Sequence, residues 1–201
     1  MLKVSYIVNS VFTSRTYILS VDDSPEIWLV DCGDVQPLIE KLSSMTANSF
    51  LVKGVLLTHA HYDHIYGLPR LSGLFPKIKV YTNQAGKEAL ANERVNMSRY
   101  HEDPINYASD NVIACTDGIE IPLFQGLLAK VHYTPGHNPS CITYEVGDCI
   151  FTGDAYIPGV SVVTSLPGSD KQQAANSLQR IIKLSEGKVV CPGHELNDGK
   201  M

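Results

Sequence analysis

The sequence has few features of a membrane, secreted or disulfide-linked protein. No apolar run approaches the roughly 20 residues that a membrane-spanning helix needs. The first residues alternate between apolar and polar types instead of placing a charged segment before an apolar one, so we expect no secretory signal. The five cysteines are widely spaced, with no Cys-x-x-Cys pair, which indicates reduced thiols. These absences predict a cytoplasmic protein with no membrane partner.

Positive charge is also scarce. The 16 lysines and arginines are outnumbered by 21 aspartates and glutamates, which gives a net charge of −5 and a pI of about 5.8. Binding to a phosphate backbone usually needs a basic surface. We therefore expect a small-molecule substrate and no nucleic-acid partner. Nothing in the composition predicts the oligomeric state.

Apolar residues are plentiful and arranged in short periodic segments. The chain has 201 residues, of which 44% are hydrophobic, so we expect one domain over 1–201 with a sizeable core. Alternation over 2–8 and 14–20 predicts a β-hairpin. Later strand-like segments alternate with helical ones, which predicts the α/β class. The predicted helix caps are Asp34, Asn83 and Ser169, the last in a capping box with Gln172 before a face formed by Ala174, Leu178, Ile181 and Ile182.

Four potential metal ligands lie within six residues, directly after a predicted buried strand. The segment reads Thr58-His59-Ala60-His61-Tyr62-Asp63-His64. Residues two apart in an extended chain point the same way, so His59 and His61 can bind one ion together. Asp63 and His64 follow where a helix is expected to begin, and their side chains suit a second ion. Imidazole nitrogens and carboxylate oxygens are typical ligands of zinc or iron at open, reactive sites.

Further polar residues follow other predicted strands. They are Asp31 in Leu-Val-Asp-Cys-Gly, His137 and His194 after Pro-Gly, and Asp154 in Thr-Gly-Asp. For Asp31, a simple turn or helix cap is as good an interpretation as a role near the metal site. For Asp154, the preceding apolar strand and Gly153 favour a ligand over a turn residue. We predict that His132 lies on a sheet face and that His101 is solvated, neither with a metal role.

These motifs, in this order, resemble those of the metallo-β-lactamase-fold hydrolases, and the resemblance extends from the first hairpin to His194. It implies a four-layered αββα sandwich with metal ions at one edge of its two sheets. It further implies two divalent ions, zinc before iron or manganese, and a supporting role for Asp31. The implied ligands are His59, His61 and His137 for one ion, Asp63, His64 and His194 for the other, and Asp154 between them.

Within this fold the sequence is most similar to the glyoxalase II branch. The bridging Asp154 beside His64, the Cys-Pro-Gly-His-Glu segment ending at Glu195, and residues 166–170 carry that similarity. The chain departs from the branch at 162–165, where Val-Val-Thr-Ser stands in place of Gly-Arg-Thr-Asp. Seven residues follow His194, so we expect no C-terminal glutathione-binding domain. Both departures argue against a glutathione thioester as substrate.

The hypothesis is a dinuclear metal-dependent hydrolase. A hydroxide shared by two metal ions would attack a small thioester, ester or lactone, with Asp63 as the catalytic residue that holds the water. Three alternatives stay open: a phosphodiesterase or nuclease of the same fold, a mononuclear iron persulfide dioxygenase, and a non-catalytic metal-binding module. No substrate-binding residue is predicted, although residues 91–111 and 156–168 are expected to determine specificity. Tyr156 is more consistent with packing than with substrate contact.

Overall fold

The computed structural model describes residues 1–46 and 49–195, and within these ranges eleven strands form two mixed sheets. The first sheet consists, in spatial order, of β1 (Leu2–Val8), β2 (Arg15–Val21), β3 (Glu26–Val30), β4 (Leu51–Leu56), β5 (Lys79–Thr82) and β6 (Val112–Ala114). The predicted N-terminal hairpin is confirmed, since β1 and β2 pair antiparallel from Leu2–Val21 to Val8–Arg15. From β3 to β6 the neighbouring strands run parallel.

The second sheet is smaller and mostly antiparallel. It consists of β7 (Glu120–Phe124), β8 (Leu127–Tyr133), β9 (Ile142–Val146), β10 (Cys149–Gly153) and β11 (Val189–Pro192), in the spatial order β11-β10-β9-β8-β7. Gly147 and Asp148 join β9 to β10 in the predicted hairpin. The last strand, β11, pairs parallel with β10, so two neighbouring strands of this sheet also end at the same edge.

Helices cover the outer face of each sheet. Described helices are α1 (Val35–Thr46), α2 (Tyr62–Ile65), α3 (Leu68–Leu74), α4 (Gln84–Leu90) and α5 (Lys171–Leu184). One core cluster joins α1 to α4 with the first sheet, through residues such as Leu38, Leu71 and Val80. A second fills the space between the sheets, and a third places Ile181 of α5 against the second sheet. The layers are therefore helix, sheet, sheet, helix, as predicted.

Polar side chains also join the two sheets. The indole N–H of Trp28 in β3 donates to the carbonyl of Leu123 in β7 at 2.9 Å. The hydroxyl of the fully buried Tyr144 in β9 donates to the carbonyls of Leu57 and Tyr81, at 3.2 and 2.8 Å. Because these donors have no access to water, the bonds specify how the sheets sit on each other.

The helix caps agree with the sequence at one of three predicted positions. Asn83 caps α4, since its side-chain oxygen accepts from the amide of Gly86 at 2.8 Å. Asp34 directly precedes α1 and its carbonyl accepts from the amide of Leu38 at 3.3 Å, but its carboxylate accepts from the amide and hydroxyl of Ser10 and does not cap the helix. Ser169 is also displaced as a cap, because its hydroxyl donates to the carbonyl of His137 at 2.8 Å.

The cap of α5 is Asp170, one residue later than predicted, and its carboxylate accepts from the amide of Gln173 at 2.8 Å. The buried face of α5 differs from the predicted one as well. Ala174 and Ile181 are buried as expected, but the third buried residue is Ser177, whose hydroxyl donates to the carbonyl of Pro135. Ile182, predicted to be internal, is half exposed.

All five cysteines are free, and Cys149 is the one that is only partly buried. Between residues 1 and 195, leaving aside 47 and 48, no helix combines the length and apolar character needed to cross a bilayer.

Candidate metal centre

The predicted site residues come together at one edge of the sandwich. Each follows the carboxyl end of a strand: Asp31 follows β3, the Thr58–His64 segment follows β4, and His137 follows β8. Asp154 and His194 follow the parallel neighbours β10 and β11. Strands from both sheets end at this edge, so loops far apart in sequence contribute to one cluster.

The first group of potential ligands is His59, His61 and His137. One ligand atom from each lies within 4.8 Å of the others, and all three residues are buried. Nδ1 of His61 lies 3.0 Å from Nε2 of His137. Three imidazole nitrogens directed into one small volume form a donor set typical of a catalytic zinc or iron ion.

The second group is Asp63, His64 and His194, also within 4.8 Å of one another. Nε2 of His194 lies 3.2 Å from Oδ2 of Asp63 and 3.3 Å from Nε2 of His64. Asp154 lies between the two groups. Its Oδ2 is 3.3 Å from His194 and 3.6 Å from His137, the latter a member of the first group.

Two buried atoms of the cluster lack hydrogen-bond partners in the protein. Nε2 of His59 and Oδ1 of Asp154 are both inaccessible and unpaired within the described residues. The nearest charged group to Oδ1 of Asp154, Nε2 of His64, is 3.5 Å away, beyond good hydrogen-bond geometry. An unsatisfied buried polar atom is costly, and both of these atoms are good donors for a cation. The cluster therefore fits divalent metal ions.

Hydrogen bonds outside the cluster orient the imidazole rings. Nδ1–H of His64 donates to Oδ2 of Asp31 at 2.8 Å, and Nδ1–H of His137 donates to the carbonyl of Val163 at 2.9 Å. The same nitrogen of His194 donates to the carbonyl of Phe12 at 2.7 Å. With the proton held on Nδ1, the lone pair on Nε2 of each ring is available to coordinate a metal ion.

Asp31 contacts the metal loop at several points. Its Oδ1 accepts from the amide of Thr58 at 2.7 Å, and its Oδ2 accepts from the Thr58 hydroxyl at 2.7 Å. That hydroxyl lies 3.2 Å from Nδ1 of His59. Asp31 is buried and has φ of 60°, a left-handed conformation that few residues other than glycine, Asn and Asp adopt. One carboxylate thus reaches His64 directly and His59 through Thr58.

Two contacts to the cluster come from residues that the sequence analysis did not identify. Nδ2 of Asn138 lies 2.8 Å from Nε2 of His61, and its Oδ1 accepts from the amide of Ser140 at 2.9 Å. The second residue is Phe12, at the tip of the β1–β2 hairpin. Asn138 directly follows His137 and is a signal available in the sequence, whereas Phe12 is 182 residues from its partner His194.

The backbone before His194 approaches the cluster closely. A Cβ atom at Gly193 would lie 2.3 Å from Oδ1 of Asp154 and 3.0 Å from the ring of His64. A residue with a side chain at this position would displace Asp154 or His64. Glycine is therefore required for β10 and β11 to bring Asp154 and His194 together.

Burial and neighbouring charges shift several pKa values in opposite directions. Burial lowers the pKa of His61 to about 4, helped by its neighbour His137, and burial likewise holds the pKa of His59 well below its usual value. His194 is partly buried, which lowers its pKa, but its bonds to Asp154 and Asp63 outweigh this and raise the pKa to about 9. Burial opposes the ionisation of Asp63, yet nearby His64 and His194 lower its pKa overall. His59 and His61 are thus neutral and Asp63 is ionised, the forms that bind cations, whereas the raised pKa of His194 means that a metal ion would displace a proton there.

A cleft of about 440 Å³ opens onto the cluster. His61, Asp63, His137, Asp154 and His194 form its floor. Its walls are Phe12, Tyr62, Met97, Tyr100, His101, Val163 and Leu166. The two segments expected to affect specificity, 91–111 and 156–168, both contribute to these walls. The volume lies in the range of small-molecule sites.

The remaining candidates lie outside the cluster. His132 is buried on the second sheet, where its Nε2 lies 2.9 Å from Glu145, as expected for a sheet-face residue. Tyr156 packs on the α5 side of the second sheet, near Ile181. His101 differs from its predicted solvated state, because its ring stacks on Tyr62 with centroids 3.7 Å apart.

The fold and the cluster define a class of protein, and the sequence matches a known family of that class. A family model described as the metallo-beta-lactamase superfamily matches residues 26–194. The match covers well over half of the chain, which therefore belongs to the metallo-beta-lactamase superfamily. The two mixed sheets between helices and the His/Asp groups at the strand ends agree with this membership.

Curated relatives of known name are enzymes. The chain is 27% identical over 179 residues to a hydroxyacylglutathione hydrolase of Tolumonas auensis, covering 89% of this chain and 61% of the relative. It is 30% identical over 186 residues to an atrochrysone carboxyl ACP thioesterase of Aspergillus fumigatus, covering 90% and 50%. The chain thus spans about half to three-fifths of the length of these relatives.

Solved structures show the same fold. The BLEG-1 B3 metallo-beta-lactamase superposes with a TM-score of 0.84 at 27% identity, covering 96% of this chain and 92% of that one. TTHA1623, solved in a di-iron-bound form, gives 0.79 at 23% identity, covering 96% and 92%. ETHE1 from Myxococcus xanthus gives 0.76 at 23% identity, covering 98% and 78%. The last two likenesses establish the fold alone.

Proposed function

We propose that the protein is a dinuclear metal-dependent hydrolase of small thioesters, esters or lactones. The observation that carries this proposal is the pair of ligand groups that share one edge of the fold, with Asp154 between them. A structural zinc site has four protein ligands and no open coordination position, whereas this centre offers seven potential ligand side chains and opens onto a cleft.

In this proposal His59, His61 and His137 hold one ion, and Asp63, His64 and His194 hold the other. Asp154 would contribute to both, because its Oδ1 lies near His64 and its Oδ2 lies near both His137 and His194. When bound, two divalent ions supply Lewis acidity and make water ionisable near neutral pH. We assign zinc as the ion, with iron or manganese as alternatives; the donor set suits all three.

The protein's own side chains position the reactants. Asp63 lines the cleft and is ionised, since His64 and His194 hold its pKa low. A carboxylate of low pKa is suited to accept a hydrogen bond from water and to orient it towards a bound acyl group. Asp31 keeps the ring of His64 in place through the bond to Nδ1. The imidazoles and Asp154 close the floor of the cleft beneath the substrate.

The names of the relatives support acyl-transfer chemistry. One is named as a hydrolase of hydroxyacylglutathione and the other as an ACP thioesterase. These two names favour a thioester before a phosphodiester. No lysine or arginine is found among the described residues that line the cleft, which also argues against a nucleic acid. The five free thiols support the proposed cytoplasmic location.

Elemental analysis of protein purified without chelators tests the proposal. We expect two zinc or similar divalent ions per chain and hydrolysis of a thioester or lactone in a substrate screen. One iron ion per chain, together with oxygen uptake on persulfides, would favour the dioxygenase. Absence of bound metal even after reconstitution would contradict the assignment of the ligands.

A substitution at the bridging position provides the second test. Asp154→Ala should lose metal and nearly all turnover, because both ions lose a ligand. The matched control is Asp148→Ala, which alters an exposed turn between β9 and β10. Activity of Asp154→Ala equal to that of the control would rule out the proposed centre.

A further inference from the structure

We infer that the cleft selects an uncharged, apolar acyl group about the size of a phenyl ring, and that Phe12 is the main specificity-determining residue. This inference rests on the proposed function, because the acyl group is that of the thioester or ester substrate. It narrows the substrate class beyond what the metal cluster, common to many acyl and phosphoryl hydrolases, can specify.

The chemistry of the cleft walls is the first support. Besides His101, the wall residues are all apolar or aromatic: Phe12, Tyr62, Met97, Tyr100, Val163 and Leu166. Within the described part of the chain, the charged residues that line the cleft are members of the metal cluster on its floor. An acyl chain that extends away from the floor therefore meets surfaces that favour apolar groups and offer no cation to a carboxylate.

The exposure of these walls is the second support. Phe12 is 67% exposed and Tyr100 is 72% exposed, although both are large aromatic side chains. Val163, on the opposite segment, is also exposed. Apolar surface grouped around a concave site, instead of scattered singly, is typical of a surface that a ligand covers.

The placement of Phe12 is the third support. Phe12 and Thr13 have φ of 51° and 56°, left-handed conformations that are unfavourable for both residue types. Hydrogen bonds to the residues after β11 stabilise this tip, since the Phe12 carbonyl accepts from Nδ1 of His194 and the Thr13 carbonyl accepts from the amide of Glu195 at 3.0 Å. Phe12 thus orients the potential metal ligand His194 through its carbonyl and also presents its ring at the mouth of the cleft.

Neighbouring rings extend the apolar surface from Phe12 towards the first sheet. His101 lies edge-on to Phe12, with centroids 6.1 Å apart and an interplanar angle of 71°. Tyr62 also packs against His101, with the two rings stacked at an interplanar angle of 14°. A flat substrate ring gains most from such a surface, because aromatic pairs favour edge-to-face and offset geometries.

The charge around this surface opposes an anionic acyl group. Glu102 and Asp103, both exposed, directly follow the cleft residues Tyr100 and His101. These two acids lie in the same 91–111 segment that supplies Met97 and Tyr100. The described residues that line the cleft include no lysine or arginine to offset these two acids; Arg99, 5.6 Å from the centroid of the Tyr100 ring, lies beside the wall but is not part of it.

Three thioesters with one leaving thiol, N-acetylcysteamine, test the inference on the metal-loaded protein. They carry phenylacetyl, acetyl and succinyl groups. We expect kcat/KM for the phenylacetyl thioester to exceed both others at least about tenfold, and Phe12→Ala to reduce that preference about tenfold. Leu128→Ala, which removes an exposed apolar side chain away from the cleft, is the matched control.

A binding measurement separates this inference from the proposed function. The probe is the phenylethyl thioether of N-acetylcysteamine, which resists hydrolysis, titrated calorimetrically into wild type and Phe12→Ala. Binding that weakens about tenfold in the variant supports the inference, even if no thioester is hydrolysed and the proposed function fails. Hydrolysis without preference for phenylacetyl, or a preference and affinity unchanged in Phe12→Ala, would overturn the inference and leave the hydrolase proposal intact.

Discussion

Oδ2 of Asp31 accepts a hydrogen bond from Nδ1 of His64 at 2.8 Å, and both side chains are buried. Nε2 of His64 faces Asp63, Asp154 and His194. Because the proton is on Nδ1, the lone pair of Nε2 is available to bind a metal ion. The same carboxylate holds the Thr58 amide that begins the metal loop. Asp31 thus connects the end of β3 to the loop after β4.

The first prediction concerns this contact. Asp31→Asn should preserve the fold, because Asn tolerates the left-handed backbone at this position. It should weaken metal binding about 10- to 100-fold, since the amide is a poorer acceptor for the Nδ1–H of His64. Metal affinity is measured by competition with a chromophoric chelator. Asp23→Asn is the control, because Asp23 has a similar φ of 59° but is exposed; equal affinity in the two variants would contradict the role of Asp31.

The strands and the cluster could be predicted because their signals are local. Alternating apolar residues specified β1 and β2, and a ligand placed after an apolar strand needs only the strand to be recognised. Asp63 and His64 were expected at the start of a helix, and α2 begins at Tyr62. Parallel neighbours such as β10 and β11 then bring such ends to one edge.

The walls of the cleft could not be predicted in the same way. The carbonyl of Phe12 bonds to His194, which is 182 residues away in the sequence. Phe12 and Thr13 at the hairpin tip have left-handed backbone conformations, but neither is a glycine, so the sequence does not indicate the turn. The face of α5 was misassigned at Ile182 because helical spacing alone does not decide which side of a helix meets the sheet. Ser177 takes an internal place by bonding to Pro135, a tertiary contact invisible in the periodicity.

The second prediction concerns Gly136, directly before His137. Its φ is 137°, and a Cβ atom there would lie 2.2 Å from the backbone nitrogen of Ala174 in α5. Gly136→Ala should therefore lower the free energy of unfolding by at least about 3 kcal/mol, through both overlap and backbone strain. The measurement is urea denaturation.

Gly118→Ala is the control for backbone strain alone. Gly118 also has a positive φ, of 82°, but no atom lies within 4 Å of the position its Cβ would take. This variant should lose only about 1 kcal/mol. Equal losses at the two glycines would show that the close approach of α5 to residue 136 does not contribute to stability.

The third prediction concerns the reactivity of the cysteines with pH. Burial raises the pKa of Cys115 to about 11 and that of Cys191 to about 12. The thiolate is the reactive form, so at pH 8 only roughly 0.1% of Cys115 and 0.01% of Cys191 is reactive. Alkylation followed by mass spectrometry should label the partly buried Cys149 first, and the rate at Cys115 should rise with pH until about 11. Rapid labelling of Cys191 in native protein at pH 8 would contradict this prediction.

The last prediction concerns removal of metal from the centre. Nε2 of His59 and Oδ1 of Asp154 have no hydrogen-bond partner among residues 1–46 and 49–195, so chelation leaves both without a partner in this part of the folded chain. Ions that bind only the folded state should stabilise it by about 2.7 kcal/mol per site at 100 times their dissociation constant. Thermal unfolding should therefore shift to lower temperature with chelator and recover when zinc is restored. Asp148→Asn should show the same shift as wild type, whereas Asp154→Asn should lose most of it. A melting temperature that does not respond to verified removal of metal would mean that the unpaired atoms are not where the ions bind.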